Sequence, residues 1–253
     1  MAGAAEWLTD VLDVLGIEKT YMAGYSQGGF FTATYALQKP ERLKKIVLLA
    51  PAATLAPFGK DFIFGAMLPV FVAGLANDVY ELRRGGAYGI DMTREHFFRV
   101  SQEELAAEIA KDKDLAELMV VFGEESLGEL AARIDSVLKN YYLTNMFAPG
   151  NPIEFEKFGQ LFLAIKYKDP MSMKFGPYPL PDEDLRKIKT PTLLLMGDHE
   201  ILYLGGPDQA IKRAEELVEN IQTVLIPNAN HMVLFEQTEL VNSHILNFLS
   251  KDR

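Results

Sequence analysis

A chain of 253 residues, 49% of them hydrophobic, is long enough for one large domain or a domain with an insertion, and can bury a sizeable core. Its formal net charge of -10 excludes nucleic acid or an anionic membrane surface as the main partner, because either needs a basic face. The absence of cysteine removes disulfides, a thiolate nucleophile and cysteine-ligated metals, and suits the cytoplasm.

Residues 5–16 carry Trp7, Leu8, Val11, Leu12 and Leu15 at helical spacing, and Gly16 ends the pattern. Glu6, Asp10 and Asp13 lie in this stretch with no basic residue, so it does not read as a signal peptide. The short run Thr20 to Ala23 predicts a strand, and Gly29 to Gln38 a helix closed by Pro40. Between them stands Gly24-Tyr25-Ser26-Gln27-Gly28, a G-x-S-x-G pattern. In a strand-turn-helix context this pattern holds a serine hydroxyl clear of the backbone, and Gly24 and Gly28 are expected to let strand and helix approach closely. The same cluster of small residues also fits an ordinary strand-to-helix loop. The strand before it and the helix after it favour the nucleophile.

Lys45 to Ala50 is an apolar run of the kind a parallel strand buried on both faces requires. From Pro51 to Asp184 strand signals give way to helical stretches separated by Gly and Pro: Ser101–Ile109, opened by Ser101 and Glu104 at capping-box spacing, then Leu115–Phe122 and Leu127–Tyr142. The longest uncharged run, Phe62–Asn77, is interrupted by Gly65, Pro69 and Gly74 and falls short of the roughly 20 residues a membrane span needs. A short helix at Asp182–Leu185, a strand at Thr190–Met196, a helix from Pro207 to Val218, a strand at Gln222–Pro227 and a helix at Leu240–Leu249 follow. Strands alternating with helices on both sides of an insertion predict an α/β fold with a doubly wound, mainly parallel sheet. Residues 1–53 and 185–253 form the expected core, and 54–184 the inserted helical domain.

On the elbow motif and this alternation, the chain resembles the α/β-hydrolase superfamily, in particular its capped, esterase-like serine hydrolases. The resemblance implies that 54–184 is a cap and that Ser26 is a nucleophile needing a histidine base and an acid. His96 stands beside Phe97 and Phe98 in the insertion, His244 lies inside the last helix, and His199 follows a strand among acidic neighbours. His231 alone lies on the loop just after the last strand, at the carboxyl edge where Ser26 also lies, and is the expected base. For the acid the resemblance favours Glu200, three residues after Gly197. Asp198 stays open as the alternative acid, with a turn-forming role competing for it. The order Ser26, Glu200, His231 suits the fold.

The backbone N–H of Gln27 is the expected oxyanion donor. The resemblance also places further strands and a second donor upstream of the nucleophile, whereas residues 1–25 hold one helix and one strand. We therefore expect the elbow strand at an exposed sheet edge, with either homo-oligomerisation through that edge or a chain that is part of a longer reading frame. The expected activity is cleavage of an ester or related acyl bond in a small, mainly apolar molecule, without cofactor or metal. Tyr25, Phe62, Met67 and Phe71 are candidate substrate contacts, although aromatic and Met residues at such spacing fit the packed core of the insertion equally. The alternative is a non-catalytic or very weakly active binding protein that lacks the second donor. A metal hydrolase built on His199, Asp198 and Glu200 is disfavoured, since adjacent residues on one loop do not readily converge on an ion.

Overall fold

A computed structural model describes residues 2–70, 73, 76, 80, 126–158 and 176–250. Strands built largely from Leu, Ile and Val form the middle of the sheet: β2 (Leu43–Leu49) is buried except at Lys44, and β3 (Thr192–Gly197) throughout. β1 (Thr20–Tyr25) and β4 (Ile221–Ile226) flank them and are only partly buried. The order is β1-β2-β3-β4, with every neighbouring pair parallel. This is the sheet that the apolar runs predict, with strand limits shifted by one or two residues.

Because strand side chains alternate between faces, β2 and β3 supply two apolar surfaces. Val47, Leu49, Leu193 and Leu195 pack with Val241 and Phe248 of the last helix, α5 (Thr238–Ser250). Gly24, paired with Leu48, presents the other face to α2 (Gln27–Gln38), where Thr32 approaches it. Helices thus cover both faces, as a doubly wound sheet requires. Each fully buried aliphatic side chain stabilises the fold by about 1.5–3 kcal/mol relative to an exposed one. Lys45 is the exception within β2. It is buried, and its ammonium donates to the Phe248 carbonyl at 2.7 Å and lies 5.0 Å from the Phe248 ring centroid.

The N-terminal helix α1 (Ala2–Val14) corrects one expectation. Ala5 and Leu12 are buried, and the Thr9 hydroxyl meets the Tyr35 hydroxyl of α2 at 3.1 Å, but Trp7 and Leu15 are exposed. The contact face is a narrower stripe than the apolar spacing suggests, with Ala5 and Thr9 in it.

The backbone divides into two compact units, one comprising Met1–Ile63, Met146–Pro152 and Phe175–Arg253, the other Phe64–Asn145 and Ile153–Lys174. Segments that periodicity assigns to the insertion therefore belong with the sheet. Side-chain and backbone bonds explain this: Leu180 N–H donates to the Thr54 carbonyl at 3.0 Å, Gly59 N–H to Leu202 O at 2.7 Å, and Met232 N–H to Met146 O at 3.1 Å. Arg213, on helix α4 (Gly206–Leu217), adds bonds to the carbonyls of Leu55 and Leu180 and to the Asp182 carboxylate.

In the second unit α3 (Leu127–Val137) opens with a capping box. Ser126 Oγ accepts from Glu129 N–H at 3.2 Å, and Glu129 accepts from Ser126 N–H at 2.7 Å. Leu130 and Ile134 of α3 pack with Ala73, Ala76 and Leu138. The helices expected at 101–109 and 115–122, and His96, lie outside the described residues. Among the described residues no helix is long and apolar enough to cross a membrane.

Candidate active site

The carboxyl end of β1 runs directly into Ser26, whose φ of 52° and ψ of -119° lie outside the ordinary regions for a side-chain-bearing residue. Bonds on both sides of the residue hold this backbone. Ser26 N–H donates to Leu49 O at 2.9 Å, while its carbonyl accepts from Ala52 N–H at 2.9 Å and Gly29 N–H at 3.0 Å. α2 begins at the next residue, and the first N–H groups of a helix, Gln27's among them, have no partner inside it.

The glycines of the motif have unequal duties. A Cβ on Gly24 would fall 2.1 Å from Gly28 O, and one on Gly29 2.7 Å from the Pro51 Cβ. A Cβ on Gly28 would meet nothing within 4 Å, so the expected need for glycine applies to Gly24 and Gly29 instead. Gly24→Ala is expected to destabilise the protein by about 3 kcal/mol, as overpacking against rigid backbone does. Gly28→Ala, in the first turn of α2, is expected to leave stability unchanged or raise it by up to about 1 kcal/mol. Thermal melts of the two variants check the ranking, and equal melting temperatures would contradict it.

His231 follows β4, and Glu200 follows β3. His231 Nε2 lies 2.9 Å from Ser26 Oγ, and its Nδ1 lies 3.0 Å from Glu200 Oε2. His231 is 3% exposed and Glu200 2%, so water does not compete for the bond between them. The other Glu200 oxygen accepts from Leu202 N–H at 3.0 Å. A buried carboxylate with both oxygens bonded is tolerable as an ion, and an ionised Glu200 requires the proton on Nδ1, leaving Nε2 to accept from the serine. Tyr203, fully buried close by, donates its hydroxyl to Pro51 O. Burial, and then the Glu200 charge, push its phenol well above the usual tyrosine range. Tyr25 packs its ring 5.2 Å from the imidazole and donates to the His231 carbonyl at 2.9 Å.

A family profile described as the alpha/beta hydrolase fold matches residues 1–238. The chain belongs to this α/β-hydrolase family. The "Uncharacterized carboxylesterase nap" of Bacillus subtilis (strain 168) is 28% identical over 248 residues, which is 98% of this chain and 62% of that protein. Carboxylesterase YbfK of the same strain is 27% identical over 98% of this chain and 63% of its own length. The crystal structure of naproxen esterase (carboxylesterase NP) from Bacillus subtilis superposes with a TM-score of 0.53 at 27% identity, covering 97% of this chain and 65% of that one. The chain thus spans less than two thirds of the length of these relatives.

In this α/β-hydrolase the other sequence candidates are placed as follows. Asp198 accepts from His199 Nδ1 at 2.6 Å, Ala229 N–H at 3.1 Å and Asn228 N–H at 3.0 Å, tying the loop after β3 to the loop after β4. Burial pushes its carboxyl up, but the hydrogen bonds from His199, Ala229 and Asn228, with the His199 charge, outweigh this and hold it below the usual aspartate range. His244 is half-buried within α5. Phe62 is half-buried with its ring 4.9 Å from Phe58. Met67 belongs to the second unit, where it is half-buried, and Phe71 lies outside the described residues.

Two side chains that sequence reasoning passes over stand close to this site. Asn230 is buried next to His231, and Glu236, on the helical turn Val233–Glu236, accepts from Asn230 N–H at 2.8 Å. Both act on backbone groups, and such bonds leave no periodic trace. The only available signal is their position within five residues of the candidate base.

Proposed function

We propose that this protein is a serine hydrolase of the carboxylesterase kind, cleaving an ester or related acyl bond of a small, mainly apolar substrate. The hydrogen-bonded chain from Ser26 Oγ to His231 Nε2 at 2.9 Å, and from His231 Nδ1 to Glu200 Oε2 at 3.0 Å, carries the reading. Ser26 attacks the acyl carbonyl as its proton passes to His231 Nε2. Glu200 stays ionised and stabilises the imidazolium, which then gives the proton to the departing alcohol. Water, activated by the same imidazole, hydrolyses the acyl-enzyme and restores the serine. The Gln27 N–H, at the positive end of α2, supplies one hydrogen bond to the oxyanion.

Carboxylesterase relatives support the reaction class, and Glu200 is favoured over Asp198 as the acid because its carboxylate is the one on His231. The apolar preference rests on Tyr25, whose ring lies 5.2 Å from the His231 imidazole, and on the apolar composition of the insertion, Phe62 included. We place it in the cytoplasm as part of the same proposal, a setting that the cysteine-free composition suits. Hydrolysis of p-nitrophenyl esters of increasing acyl length tests the reading. Activity is expected, with kcat/KM rising from acetate to propionate by up to about 200-fold, the upper end of what one added methylene commands in an apolar pocket. No hydrolysis of any ester by folded protein would favour a binding protein instead.

A further inference from the structure

Asn230 takes no part in the chemistry above, yet its side chain joins the two loops that carry Glu200 and His231. Oδ1 accepts from Ile201 N–H at 3.1 Å and from His231 N–H at 2.7 Å. Those are the amides of the residue following the acid and of the base itself. Nδ2 donates to Phe147 O at 3.2 Å, and the residue is 3% exposed. Its own N–H is held by Glu236 Oε2, while Glu236 Oε1 accepts from Ala148 N–H at 2.6 Å and Asn151 Nδ2 at 2.8 Å. The asparagine that spans the two loops is therefore itself anchored to a third segment, 146–152.

Proton transfer between Ser26 and His231 tolerates a displacement of only about 0.5 Å. The imidazole has its two nitrogens committed to groups on different loops, so a slip of the loop after β3 against the loop after β4 degrades both bonds together. A single amide oxygen shared by both loops resists that slip. A shorter side chain cannot reach Ile201, and its loss leaves the buried His231 N–H and the half-buried Ile201 N–H without this acceptor. We propose that Asn230 is a positioning residue that sets the register of the acid loop against the base loop, and so keeps His231 between Glu200 and Ser26. The inference rests on the serine-hydrolase reading.

With a p-nitrophenyl ester and a fluorophosphonate probe, Asn230→Ala is expected to lower kcat by about 10²-fold, with KM close to wild type and labelling of Ser26 slowed in parallel. Asn230→Asp keeps an acceptor oxygen at the same reach but loses the bond to Phe147 O and buries a charge, so it is expected to recover only part of the lost kcat. Asn230→Ser can bond the adjacent His231 N–H but not span to Ile201. It is expected to show the same loss, and it replaces the alanine variant if that one fails to fold. Measurements are made well below each variant's melting temperature, so that a residue serving stability alone would lower the melting temperature and leave kcat unchanged. Labelled wild type together with a wild-type kcat in the alanine or serine variant would overturn the inference alone. Wild-type protein that remains unlabelled at Ser26 would overturn the serine-hydrolase reading and this inference with it.

Discussion

Ser26→Ala is expected to lower kcat/KM for a chromogenic ester by about 10⁴-fold or more, with the melting temperature close to wild type. The reaction is lost because, among the described residues, the Ser26 hydroxyl is the one on His231 Nε2. The fold is kept because the strain at this residue belongs to the backbone. Its amide and carbonyl remain bonded to Leu49, Ala52 and Gly29, and alanine is tolerated at positive φ nearby, at Ala50 (40°) and Ala53 (50°). Steady-state kinetics and a thermal melt on the same preparation check both halves. A variant that hydrolyses the ester at the wild-type rate would place the nucleophile elsewhere.

The second large effect separates the two acidic candidates. Glu200→Gln is expected to lower kcat by about 10⁴-fold, as a neutral amide facing Nδ1 favours the wrong tautomer and cannot stabilise the imidazolium. Asp198→Asn is expected to keep kcat within about tenfold, but to cost about 1–3 kcal/mol of stability, because three donors then face an uncharged partner. Its stability effect should also depend on pH. The Asp198 carboxyl is held below its unfolded value, so its contribution is present above the unfolded pKa and is lost as pH falls through the folded one. The gap in melting temperature between wild type and Asp198→Asn is therefore expected to be widest near neutral pH and to close below the ordinary aspartate range. Kinetics that reversed the ranking, with Asp198→Asn inactive and Glu200→Gln active, would transfer the acid's role to Asp198.

The parts of the fold that were legible are those where burial is two-sided or periodic. β2 and β3 announce themselves as Leu-, Ile- and Val-rich runs because both faces are covered, and G-x-S-x-G marks the elbow because Gly24 cannot carry a Cβ against Gly28 O. What escaped is what side chains do to backbone. Arg213 binds Leu55, Leu180 and Asp182, and Glu236 binds Ala148 and Asn151, drawing their segments to the sheet unit, and nothing in the spacing of those segments signals it. The same holds at the candidate site. Ser26 and His231 can be proposed from motif, loop position and chain order, and Glu200, with Asp198 left open, only from the family resemblance, whereas Asn230 looks like any turn asparagine until its oxygen is seen between two loops. In α1, apolar spacing overstated the buried stripe because small Ala5 and polar Thr9 sit in the contact where Trp7 and Leu15 do not.

The most direct test of the account is intact-mass and peptide analysis after exposure of the folded protein to a fluorophosphonate probe. The expected result is one adduct per chain, on the peptide bearing Ser26, absent from Ser26→Ala and greatly slowed in His231→Ala and Glu200→Gln. An unmodified Ser26 in folded protein, or an adduct that forms equally fast without His231, would contradict the claim that these three residues act as one catalytic unit.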